Sequence, residues 1–139
     1  MTRLLHVGMM AALVAVVGLA PADAQTGTSL GSVTLKRSVK ANGQPLGAGT
    51  YAVRLAAEEG QPAVGQSAGA ERWVEFVRGG RVVGREMASV VSDADIAQVA
   101  NGPGKPAKGG TRVDTLKGDE FVRVWINRGG NNYLIHLPV

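Results

Sequence analysis

Two double glycines, Gly79-Gly80 and Gly129-Gly130, each separate a pair of runs rich in β-branched and aromatic residues, and they constrain the fold more than any other feature of the chain. A two-residue type I′ hairpin needs positive φ at both central positions, which glycine adopts without steric cost. Each pair therefore predicts an antiparallel hairpin. In the first, residues 72–78 run to the tip and 81–91 return; pairing about that tip sets Val77 opposite Val82, Phe76 opposite Val83 and Val74 opposite Arg85. Val74, Phe76, Val83 and Met87 then share one face and form the predicted core, while Trp73, Glu75, Val77, Val82, Gly84 and Glu86 take the other.

The second hairpin sorts more cleanly. Val122, Val124, Ile126, Tyr133, Ile135 and Leu137 fall on one side, and Phe121, Arg123, Trp125, Leu134 and His136 on the other. Further strands are predicted over residues 32–39, 50–56 and 111–116, with mobile Gly/Pro/Ala-rich loops over 58–70 and 101–110. One short helix is expected near 93–100, with Ser92 as its cap and Asp95 in capping-box position. Helical periodicity is otherwise nearly absent. The pattern predicts an all-β domain, an antiparallel β-sandwich or small barrel of about six to eight short strands.

The first 24 residues read as a secretory signal peptide: Arg3 is the positive end, residues 7–20 the apolar stretch, and Ala22-Asp23-Ala24 the small-x-small site before a cut that leaves Gln25 first. The stretch is shorter than the roughly 20 apolar residues of a membrane span and runs into Pro21. Residues 25–30 are expected to form a flexible N-terminus and 31–139 the β-domain, in the periplasm or outside the cell. With no cysteine, lipid acylation and disulfide staples are both excluded. The net charge of +4 is scattered without a basic run, which argues against nucleic acid as a partner.

The segment Gln44-Pro45-Leu46-Gly47-Ala48-Gly49-Thr50-Tyr51-Ala52-Val53-Arg54 resembles the LPAGTY-type strand entry of small exported bacterial β-domains, the transthyretin-like and carboxypeptidase-regulatory-like modules among them. The resemblance implies a β-sandwich that binds, braces or presents, and it brings no catalytic residue.

Enzyme signatures are missing: no thiol, no Gly-x-Ser-x-Gly elbow, no His pair at metal spacing. Neither a cofactor nor a metal is expected. A Ser89, Asp114 and His136 constellation is only formal, and Asp93-x-Asp95 reads as helix-capping carboxylates before it reads as a calcium loop. Arg78 and Arg81, facing each other across the first tip, are a weak anion-contact pair. The sharper feature is the outer face of the second hairpin, where Trp125, Phe121, Arg123 and His136 are the predicted ligand contacts, suited to sugar stacking or to a protein anchor. If a loop or helix covers that face, Trp125 is instead ordinary core. The expected function is thus a non-enzymatic exported module for an envelope polysaccharide or a protein partner. The alternative is a structural subunit that assembles through edge strands, the apolar residues 133–139 foremost.

Overall fold

The computed structural model describes residues 27–59, 64 and 65, 69–100 and 104–139. The expected leader lies outside the described residues, as do parts of the two expected loops. Nine strands and one helical turn follow in order: β1 Ser29–Leu35, β2 Val39–Ala41, β3 Gln44–Leu46, β4 Gly49–Glu59, β5 Glu71–Arg78, β6 Arg81–Ser92, α1 Ile96–Val99, β7 Thr111–Thr115, β8 Phe121–Arg128 and β9 Asn131–Pro138. The protein is all-β. Ser29 and Leu30, expected in the N-terminal tail, already belong to β1, and Leu30 is buried.

Seven strands make one sheet in the order β1-β4-β5-β6-β9-β8-β7, and every neighbouring pair is antiparallel. The sheet curls until its first and last strands meet, giving a near-closed barrel. An odd count has a consequence: β1 and β7 run the same way, so the antiparallel ladder cannot continue across the seam. The link between them is a side-chain bond, in which Thr111 Oγ1 donates to the carbonyl of Ser32 at 3.2 Å.

Period-two alternation fills the barrel. Leu35, Val53, Val74, Phe76, Val124, Ile126 and Ile135 all point inward and are fully buried. The second hairpin folds in the predicted register, with Ile126 opposite Tyr133, Val124 opposite Ile135 and Val122 opposite Leu137. At both double-glycine tips each glycine has positive φ.

The first hairpin departs from its predicted register. Val77 does pair with Val82, but a β-bulge follows, and Phe76 then faces Gly84 and Val74 faces Glu86. The extra residue reverses the sides of β6. Val83, predicted core, is 38% exposed, and Met87 lies on the outer side; Gly84 and Ala88 are buried in their place. The reason lies in β2 and β3, a small hairpin turned by Asn42-Gly43 that plugs one end of the barrel with Val39, Ala41 and Leu46. Its Leu46 packs over Gly84, where a Cβ would lie 2.9 Å from Leu46 Cδ2. Glu86, turned inward by the bulge, accepts the Asn42 N–H at 2.6 Å and holds the plug. A valine at position 84 would occupy the volume that the plug needs.

The strand β9 is paired on both sides, with β6 and with β8. Residues 133–135 therefore have ladder partners on both sides, whereas 136–138 pair with β8 alone; the sheet's terminal strands are β1 and β7, and they face each other.

Candidate functional site

Outward alternation brings one row of side chains across five strands. In this row Trp73 of β5 faces Met87 of β6, and Asp114 of β7 and His136 of β9 both face Arg123 of β8. Beside it Glu75 on β5 pairs with Arg54 on β4 and Arg85 on β6, and Phe121 pairs with Pro138. The predicted contact face is thus real as a grouping. Its two ends have different fates.

At the Trp125 end the face is closed. Trp125 is 2% exposed and packs with Leu134 and Ile96 of α1, with Val91 and Ala100 against them. A chain of polar bonds fixes this cover. Trp125 Nε1 donates to Asn132 Oδ1 at 2.9 Å, and Asn132 Nδ2 donates to Asp93 Oδ1 at 2.8 Å and to the Val91 carbonyl at 3.3 Å. Lys105 lies 3.5 Å from Asp93, and Asn127 Nδ2 donates to the Pro106 carbonyl at 3.2 Å. The amide of Asn132, with Lys105 beside it, holds the Asp93 carboxyl below its ordinary range. Trp125 therefore cannot stack on a ligand, and the reading of it as core is the one the structure shows.

The helix itself is one turn, Ile96–Val99, shorter than expected, because residues 93–95 form turns that place Asp93 against Asn132. The Ser92 and Asp95 pairing is present: Asp95 N–H donates to Ser92 Oγ at 3.3 Å, and Ser92 Oγ donates to Asp95 Oδ2 at 2.9 Å. Asp95 stands at the N-cap itself and makes no side-chain capping bond there. Among the described residues no cluster of three metal-ligating side chains occurs.

At the other end the face is open. Phe121 is 40% exposed, His136 is exposed, and Arg123, Met87, Trp73 and Arg85 are half-buried. Two guanidiniums lie on indoles: Arg85 over Trp73 at 4.6 Å, and Arg123 over Trp125 at 5.2 Å. Each cation is thereby placed against an aromatic face, which attracts it electrostatically. The two arginines sit on β6 and β8, and His136 is on β9, the strand between them in the sheet order. Glu75 bonds Arg54 at 3.5 Å, and Asp114 lies 2.8 Å from Arg112 and 3.7 Å from Arg123.

His136 is held below its ordinary value of 6.5, first by burial of one side of its ring and then by the neighbouring Arg123. The folded state thus binds this proton more weakly than the unfolded chain. The stability from neutral His136 is complete above pH 6.5 and is lost as the pH falls from there through the lowered folded value. An NMR titration of the ring is expected to show a midpoint below 6.5 that moves back toward it in Arg123→Gln. A midpoint unchanged by that substitution would contradict the charge contribution.

The other predicted groups do not converge. Ser89 pairs with Leu134 rather than His136, and the carboxylate of Asp114 is taken by Arg112 at 2.8 Å and by Arg123. Arg78 and Arg81 are opposite each other, but Arg78 folds over the Tyr51 ring at 5.3 Å and donates to Tyr51 Oη at 3.4 Å, which leaves no clasp with Arg81. Trp73 and Arg85 were absent from the sequence-derived contacts. Trp73 was legible on the outer side, but the unbulged register faces Arg85 inward. Comparison with family models, with curated proteins and with solved structures returns no match.

Proposed function

We propose that this is an exported, non-enzymatic binding module that holds an acidic envelope polymer on the open part of the outer face. The observation that carries the reading is the pair of indole-backed guanidiniums, Arg85 on Trp73 and Arg123 on Trp125, flanking His136 on one surface. A guanidinium recognises a carboxylate through charge-assisted N–H bonds. A polymer with regularly placed carboxylates can meet both forks at once, and simultaneous engagement raises affinity without new kinds of contact. The leader-like residues 1–24 support the reading of an exported protein.

The test is affinity electrophoresis in gels that contain polygalacturonate or neutral dextran. The protein is expected to be retarded by polygalacturonate alone. Arg85→Gln, Arg123→Gln and Trp73→Ala are each expected to weaken retardation about tenfold, equivalent to about 1.4 kcal/mol. Equal retardation by dextran, or no change in all three variants, would refute the proposal.

A further inference from the structure

The plug carries a chemically labile bond, independent of the outer face. Asn42-Gly43 forms the tip between β2 and β3, with φ 45° at Asn42 and 80° at Gly43, and both residues are exposed. An asparagine followed by glycine can react with its own backbone. The next amide nitrogen attacks the side-chain carbon Cγ, and a residue with no Cβ puts the least bulk in the way of that approach. At Gly43 the path is open: a Cβ there would have no neighbour within 4 Å, and among the described residues its N–H has no hydrogen-bond partner. The other described asparagines lack these conditions. Asn127 and Asn132 are buried, with their amides bonded to the Pro106 carbonyl and to Asp93, and Arg128 and Tyr133 follow them; Asn131 is followed by Asn132. Asn101-Gly102 lies outside the described residues.

We propose that Asn42 is a self-modification site whose product releases the plug. The Gly43 nitrogen bonds to Asn42 Cγ and gives up its proton, the side-chain nitrogen leaves as ammonia, and a succinimide ring results. Water then opens the ring at either carbonyl, which gives aspartate or, with the main chain routed through the side-chain carbon, isoaspartate. The net change consumes water and releases ammonia, with no oxidant or reductant. Both products disturb the same contact. Glu86 accepts the Asn42 N–H at 2.6 Å and the Met87 N–H at 2.9 Å, so a carboxylate gained at residue 42 stands beside one already held there, and the like charges repel. Isoaspartate also adds a carbon to the main chain of a tight turn in which Ala41 faces Gln44 and Val39 faces Leu46. The register that sets Leu46 over Gly84 then loses the turn that holds it.

The purified protein is incubated at neutral pH and physiological temperature, and peptide maps taken at intervals separate residue 42 from residue 101. Asn42 is expected to convert several-fold faster than Asn127, Asn131 or Asn132, with isoaspartate the larger product. The urea midpoint should fall in step with that conversion, and the methyl resonances of Leu46 should move. Asn42→Gly keeps the left-handed turn without a side-chain amide, and it should show neither change. Asn42→Asp isolates the charge: its midpoint should lie below the parent's, and the difference should shrink in a Glu86→Gln background. Three outcomes would each overturn the proposal: Asn42 intact when Asn131 has converted, a midpoint that holds after Asn42 has converted, or an equal fall with time in Asn42→Gly.

Discussion

Trp125→Ala is expected to destabilise the protein by about 3–5 kcal/mol, the range for truncating a buried aromatic, and to shift the urea midpoint accordingly. The ring is enclosed by Leu134 and Ile96, so its loss leaves a cavity beneath α1. It also orphans Asn132 Oδ1, whose remaining amide bonds hold Asp93 and the Val91 carbonyl. Trp125→Phe separates the two effects, since it keeps most of the ring but removes the indole N–H; a cost of about 1–3 kcal/mol is expected for the unpaired buried acceptor. That variant also keeps an aromatic face under Arg123, and polymer binding should survive it. A Trp125→Ala protein as stable as the parent, with binding lost, would mean that the face is open at this end.

Gly84→Val is expected to cost about 1–3 kcal/mol by overpacking. The new Cβ would stand 2.9 Å from Leu46 Cδ2 and 3.3 Å from Ala41 Cβ, and the glycine has no left-handed φ, so the penalty is steric rather than conformational. A double-mutant cycle checks the assignment. Leu46→Ala alone should cost about 2–5 kcal/mol as a buried truncation. In the Gly84→Val background its cost should be smaller by 0.5 kcal/mol or more, because the two side chains compete for one space. Strict additivity would place the plug elsewhere.

Much of the fold was legible because two signals agreed locally. In the second hairpin the Gly129-Gly130 tip and the alternation of six apolar residues specify one register, and that register forms. In the first hairpin the glycine tip was right, yet β6 reads Val-Val-Gly-Arg-Glu-Met-Ala with no clean alternation, and the choice between registers is made by the plug over Gly84. That plug was itself announced by Asn42-Gly43, a strong short-range hairpin signal, but the adjoining strands are only three residues each. Strand order was beyond local reading, since β1 joins β4 and β6 joins β9 across long stretches of chain.

The candidate site divides the same way. Alternation alone put Phe121, Arg123, Trp125 and His136 on one side. Which of them meet solvent depends on Asp93 reaching Asn132, a contact between residues 39 apart in sequence that seats a single helical turn on the Trp125 ring. The Arg85 and Trp73 stack likewise depends on the bulge.

The most direct test of the proposed binding face is a ¹⁵N–¹H chemical-shift map recorded during titration with oligogalacturonate. Perturbations are expected to cluster on Trp73, Arg85, Met87, Arg123 and His136, with the Trp125 indole resonance little changed. Perturbations confined to residues outside that face, or the absence of any saturable shift, would contradict it.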